Sequence, residues 1–269
     1  MPTNLLNSEL LIIALERFLE ADRADKRDKE IKQPAAELER AMFAGFTKQG
    51  KLLLSSASKT KITVNGYLSA LNKAQKQTYK QMSAALEKGI LAGLELGGAA
   101  LLDSFGIKEA EFSDDDLTGF DFNVVNQEAI KYAREHAAEN VTKINDTTRA
   151  GLRSVITQAT EEGWGYGRLA AQIGKRFDDL AGARARRIAV YELRDAYEAG
   201  QRVMIDRLGD HGLPMETRWL TAGDDRVRPS HQDSGAEGWN DVGFVFSSGG
   251  ERPPTDPGCR CTALYRRKK

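Results

Sequence analysis

The sequence predicts an α+β fold, mainly helical through its N-terminal and central parts and finished by a small C-terminal antiparallel sheet. Three observations predict it. No proline lies between Pro34 and Pro214, whereas Pro214, Pro229, Pro253, Pro254 and Pro257 crowd the end, and helix interiors exclude proline where turns and strand edges accept it. Within the proline-free stretch apolar residues recur at steps of three and four, the period of an amphipathic helix. After Leu208 the pattern becomes short runs of β-branched and aromatic residues parted by Gly, Pro, Asp and Ser, the grammar of strands and turns.

Taken in order, the first apolar stretch, within residues 5–19, carries Glu9 and Glu16 and no basic segment before it, so it does not read as a secretory signal. Leu68, Leu71, Tyr79, Met82, Leu86, Ile90 and Leu94 describe one long helix, whose apolar stripe could face a partner rather than the protein's own core. Gly89, Gly93 and Gly97 recur every fourth residue on it, which lets a second backbone approach closely. The apolar run 89–102 is short of the roughly 20 residues a membrane span needs and contains Glu95, so no crossing is expected.

Asp103 to Phe122 reads as a polar loop. Helical patterning resumes in AIKYAREHAAENVTKIND and TTRAGLRSVITQATEEG, where Leu152, Val155, Ile156 and Ala159 form one face and Gly163 ends the helix. GRLAAQIGKRF gives another helix, and RARRIAVYELRDAYEAGQRVMIDRL a third that presents Ile188, Tyr191, Ala196 and Val203, with Glu192 at its middle. ETRWLTA, VGFVF and CRCTALY are the expected strands, with Trp219 and Trp239 as aromatic anchors.

Composition narrows the function classes. Lys plus Arg and Asp plus Glu are 39 each in 269 residues, so there is no bulk positive field and any nucleic-acid contact must be a local patch. Both cysteines, Cys259 and Cys261, fall in one C-x-C; no disulfide framework ties the chain, and a reducing compartment fits.

The densest group of chemically capable residues is WLTAGDDRVRPSHQDSG followed by ERPPTDPGCRC. It resembles the Mu F-like head morphogenesis family, the minor head proteins of tailed bacteriophages, in Trp219, Asp224, Arg226, Arg228, His231, Gly235, the Pro253 to Pro257 approach, and Cys259, Arg260 and Cys261. Upstream, Arg187, Ile188, Ala189, Glu192, Ala196 and Gly200 look like the family's helix, with Val190 and Tyr191 where many members have Arg-Thr. The resemblance covers about 147–265. It divides the chain into a helical region 1–146 expected to associate with capsid or portal, the family domain 147–265, expected to fold alone, and a basic tail 266–269.

The resemblance implies a non-enzymatic protein of procapsid assembly in the virion, partnered by the portal protein and by major capsid or scaffold proteins, with a role in packaged or ejected DNA. Some relatives carry more cysteines and a His before C-R-C, a fuller metal-binding set; Asp256 stands in that place here.

The residues allow several chemistries. In a strand Cys259 and Cys261 would project from one face toward a single ion, with His231 as third ligand and Asp224, Asp225, Asp256 or water as fourth; that soft set suits zinc. Without a metal, the thiols are small buried side chains. Asp224, Arg226, Arg228 and Arg260 read as a hydrogen-bonded network that pins a loop. A metal-dependent hydrolase or nuclease using Glu192 or Asp224 with His231 is the enzymatic alternative, and a zinc-stabilised binding module is another. Ser230 and His231 are adjacent rather than spaced, and His136 and His211 have no suggestive neighbours. Arg266, Arg267, Lys268 and Lys269 are either a DNA contact or a solvated tail.

Overall fold

The computed structural model describes residues 26–57, 63–105, 127–210 and 212–268. After a helical turn at 26–30 come α1 (Lys32–Ala57), α2 (Val64–Ser104), α3 (Gln127–Glu161) and α4 (Tyr166–Asp179), then a π-helical turn (Leu180–Arg184) running into α5 (Ala185–Asp210). The sheet follows: β1 (Met215–Leu220), α6 (Pro229–Ala236), β2 (Trp239–Asp241) and β3 (Thr262–Arg267), in the order β2-β1-β3 with both pairings antiparallel. The α+β class is therefore as the proline distribution and periodicities indicated.

The expected long helix is α2, and the two helical patterns after residue 127 are the single helix α3. Gly163 follows its end with φ +64°, and the Trp164 N–H reaches back to the Ala159 carbonyl at 2.8 Å, a glycine-assisted C-terminus. The polar-loop assignment falls mostly on 106–122, outside the described residues; Asp103 and Ser104 close α2.

Three expectations need correction. VGFVF is not a strand: the Phe244 N–H bonds the Asp241 carbonyl in a turn through Gly243 at φ +97°. Its apolar character serves Phe246, which packs on Trp219 with ring centroids 5.6 Å apart. C-R-C likewise lies just before β3, which begins at Thr262. The α5 face was also misplaced: Ala189, Leu193, Ala196, Tyr197, Met204 and Ile205 are buried while Val203 is 48% exposed. Small alanines mark that buried stripe because the neighbouring backbone is close.

The chain divides into two compact units. The second unit, Gln33–Ala92 with Asn123–Glu192, has a core of Leu53, Tyr67, Leu71, Leu152, Ile156, Leu169, Ile173 and Phe177. The first unit combines Met1–Lys32, Gly93–Phe122 and Leu193–Lys269. There Leu101 and Leu102 of α2 pack with Met204, Ile205 and Leu208 of α5 and with Met215, Ala263 and Tyr265 of the sheet.

Glycine makes that packing possible. A Cβ on Gly97 would lie 1.9 Å from the Tyr197 carbonyl oxygen, and one on Gly200 would lie 2.1 Å from the Leu94 oxygen, so the two helices touch backbone to backbone. Leu68, Leu71, Met82, Leu86, Ile90 and Leu94 are all buried. The chain itself therefore covers the stripe expected to meet a partner, leaving Tyr79 as its exposed member.

Candidate metal centre

The centre belongs to the first unit and begins where β1 ends. Gly223, at φ +70°, turns the chain into the loop carrying Asp224, and Pro229 opens α6 at its first turn, where its fixed φ suits the helix and its missing N–H costs nothing. This short helix carries His231 inward to 1% exposure. Gly235 keeps it tight on the strand exit, since a Cβ there would lie 2.8 Å from Thr221 Cγ2. The chain then returns through the proline-rich approach and Gly258, at φ +81°, to Cys259 and Cys261, each 4% exposed.

His231 Nδ1 lies 3.5 Å from each cysteine sulfur. Its other nitrogen, Nε2, is 3.0 Å from Asp256 Oδ2 and 3.2 Å from Thr255 Oγ1. A carboxylate at Nε2 favours the proton there, which leaves the Nδ1 lone pair aimed at the sulfurs. The His231 contact is also the main reason the Asp256 carboxyl is held below its usual range. Trp219 closes the site, its ring edge-on to His231 at 5.4 Å. The Cys259 thiol hydrogen-bonds toward Cys261 and draws the latter down to about 7 against the effect of burial, with help from Trp219, the Ala222 N–H and Arg27. Cys259, the donor of that pair, is pushed up.

These donors fit a zinc ion. Zn–S near 2.3 Å and Zn–N near 2.0 Å at a tetrahedral angle separate sulfur from nitrogen by about 3.5 Å, the separation seen at both cysteines. All three donor atoms lie within 4.8 Å of one another and are buried. Asp256 is placed behind the imidazole as its orienting partner. Asp224 faces away: Arg260 grips it bidentately at 2.6 and 2.5 Å, and Arg226 adds a contact at 3.1 Å. The Arg260 hydrogen bonds hold the Asp224 carboxyl well below its usual range. Arg228 donates to the Pro257 carbonyl at 2.9 Å. Asp224, Arg226 and Arg260 thus form the expected Asp-Arg network beside the His-Cys-Cys cluster, with Arg228 bonded to a carbonyl rather than to an Asp.

Glu192 belongs to the second unit, where it accepts from Asn140 Nδ2 at 2.6 Å. Asp225 is exposed, and His136 stacks on Tyr132 at 4.5 Å. His211 and Lys269 lie outside the described residues. Arg266 and Arg267 are part of β3; Arg266 pairs with Glu216 at 2.8 Å and lies 4.3 Å over the Trp239 ring, and Lys268 pairs with Asp241.

Sequence reasoning missed the frame that holds C-R-C. Arg27, 1% exposed, donates to the Cys261 carbonyl at 2.8 Å and to Glu198 at 3.0 Å. Arg194 donates to the Cys259 carbonyl at 2.9 Å and is gripped by Asp28 at 2.5 and 3.1 Å. Glu198 also accepts from Thr262 Oγ1 at 2.5 Å and the Ala263 N–H at 3.0 Å. The one available signal was the four-residue spacing of Arg194 and Glu198 within an otherwise buried stripe.

Residues 150–264 match the family model described as Phage Mu protein F like protein. The match takes in Glu192, the Asp-Arg network and the whole His-Cys-Cys cluster. No curated protein and no solved structure matches the chain.

Proposed function

We propose that the protein is a minor head component of a tailed phage, acting in procapsid assembly through contacts with the portal protein and with major capsid or scaffold proteins. The observation that carries this reading is the Mu F-like match over residues 150–264. The match to a phage family also favours a place in the virion.

The site supports a structural role. His231, Cys259 and Cys261 would hold zinc, joining α6 to the segment before β3, while Asp224–Arg260 and Arg228–Pro257 tie the same two stretches by hydrogen bonds. When bound, the ion supplies a cross-link between segments about thirty residues apart, which favours the folded state by an amount set by its affinity. Asp256 and Thr255 orient His231, and the carbonyls of Cys259 and Cys261 are fixed by Arg194 and Arg27. A hydrolytic centre is the second reading, favoured by the open fourth position that three protein donors leave. Burial of all three donors weighs against it, because substrate would need a path to the ion.

The test is complementation. In cells carrying a phage genome deleted for this gene, wild-type protein is expected to enter proheads and restore infectious particles. Normal particles without the protein would refute the assembly role. Metal-dependent cleavage of nucleic acid by the purified protein, lost in His231→Ala, would favour the second reading.

A further inference from the structure

A chain with balanced charge can bind a polyanion only at a local concentration of cations, and the second unit has one. Residues 175–187 hold Lys175, Arg176, Arg184, Arg186 and Arg187 against Asp178 and Asp179. The segment passes through the π-helical turn Leu180–Arg184, a helix distortion found frequently at functional sites.

Arg184 is fixed and partly buried. Its Nη1 donates to Thr148 Oγ1 at 3.1 Å, its Nη2 to the Ile144 carbonyl at 3.2 Å, and its guanidinium lies 5.6 Å from the Phe46 ring centre. The Arg176 guanidinium rests on α3 at Gly151, where a Cβ would come within 2.2 Å of Nη2. Burial first, then repulsion from Arg187 and Arg176, lowers the Arg184 pKa, and no carboxylate opposes them. Among the described residues Arg176, Arg184, Arg186 and Arg187 make no ion pair. A partly desolvated cation between two others is unfavourable unless an anion offsets it.

We propose that Arg176, Arg184 and Arg187 form a phosphate-binding site, the phosphates coming from a nucleic-acid backbone or from free phosphate. Guanidinium forks match phosphate oxygens bidentately, and three adjacent cations suit successive phosphodiesters or one dianion better than a single carboxylate. Arg176 and Arg187 are exposed and Arg184 anchors the patch from beneath. The tail expected to touch DNA is less suited, because Arg266 and Lys268 are already paired with Glu216 and Asp241. The site depends neither on the metal centre nor on the family assignment.

The experiment measures binding of the full-length protein to a short fluorescein-labelled DNA duplex by anisotropy, from about 50 to about 200 mM salt. The Arg176→Gln, Arg187→Gln double variant removes exposed groups only, so its circular dichroism and thermal melting should match wild type. It is expected to bind about tenfold more weakly at the lowest salt, with a salt slope shallower by about two. Arg266→Gln with Lys268→Gln should bind as wild type does. If the duplex does not bind but inorganic phosphate raises the melting temperature of wild type and not of the double variant, the source is free phosphate and the site stands. Duplex binding unchanged in the double variant, or neither duplex binding nor phosphate stabilisation, overturns the proposal. So does displacement of the duplex by poly-glutamate as effective as by unlabelled duplex at equal charge, which would assign the patch to an acidic polypeptide.

Discussion

Replacing Arg27 with Met keeps the aliphatic stem of a buried side chain and removes its guanidinium. The Glu198 carboxylate, 0% exposed, then keeps its hydrogen bonds from Thr262 and Ala263 but loses its cationic partner, and Asp28 and the Arg260 and Cys261 carbonyls each lose a donor. Removing one member of a buried ion pair costs about 3–5 kcal/mol, because the remaining charge stays desolvated. Against a typical total of about 5–15 kcal/mol this is a large share. With a urea slope of about 2 kcal/mol per molar, the midpoint should fall by about 2 M. Trp219 and Trp239 report the first unit and Trp164 the second, so a Trp164→Phe background lets tryptophan emission follow the unit that contains Arg27. Glu198→Gln retains an acceptor for Thr262, and the double variant completes a cycle whose coupling should reach about 0.5–3 kcal/mol. A midpoint for Arg27→Met indistinguishable from its background would refute the buried frame around C-R-C.

Gly97→Ala and Gly200→Ala should each cost about 1–3 kcal/mol by overpacking, read as a lower urea midpoint; wild-type stability in both would refute the backbone contact between α2 and α5. A fragment from Thr147 to Lys269 lacks Arg27, Leu101 and Leu102 and should show no cooperative melting, contrary to what the family domain boundaries suggested; a sharp transition in calorimetry would contradict this. Asp224 has a folded pKa below its ordinary 3.8 because Arg260 hydrogen-bonds to it, so its stabilisation is complete at neutral pH and fades as pH falls through 3.8 toward the lower folded value. Asp224→Asn should therefore be less stable than wild type at pH 7, with a flatter loss of stability in acid; parallel acid profiles would count against the pair.

Periodicity and punctuation carried most of the fold. The steps of three and four in α2, the Gly163 stop and the proline-free middle all state local preferences that tertiary packing reinforced. VGFVF misled because an apolar run does not distinguish a strand from a turn whose last residue, Phe246, fills an aromatic pocket. Val203 misled because α5 meets its neighbour through alanine and glycine, so size was a poor guide to burial. At the site, the C-x-C spacing and the D-x-R-x-R-x-x-H run named the cluster and its Asp-Arg brace. Which carboxylate orients the histidine, Asp256, and which is locked by arginine, Asp224, depends on the loop path through Gly223 and Gly258. Arg27 was invisible for a different reason: within ADRADKRDKE no pattern marks it as the residue to be buried, and Glu198 and the Cys261 carbonyl lie more than 170 residues away.

Metal content of the full-length protein, purified without chelator and compared with Cys259→Ser plus Cys261→Ser, tests the proposed centre most directly. The expected result is one equivalent of zinc in wild type and none in the variant, with X-ray absorption showing sulfur near 2.3 Å and nitrogen near 2.0 Å. A folded wild-type protein that carries no metal, and whose melting temperature does not rise with added zinc, would contradict it.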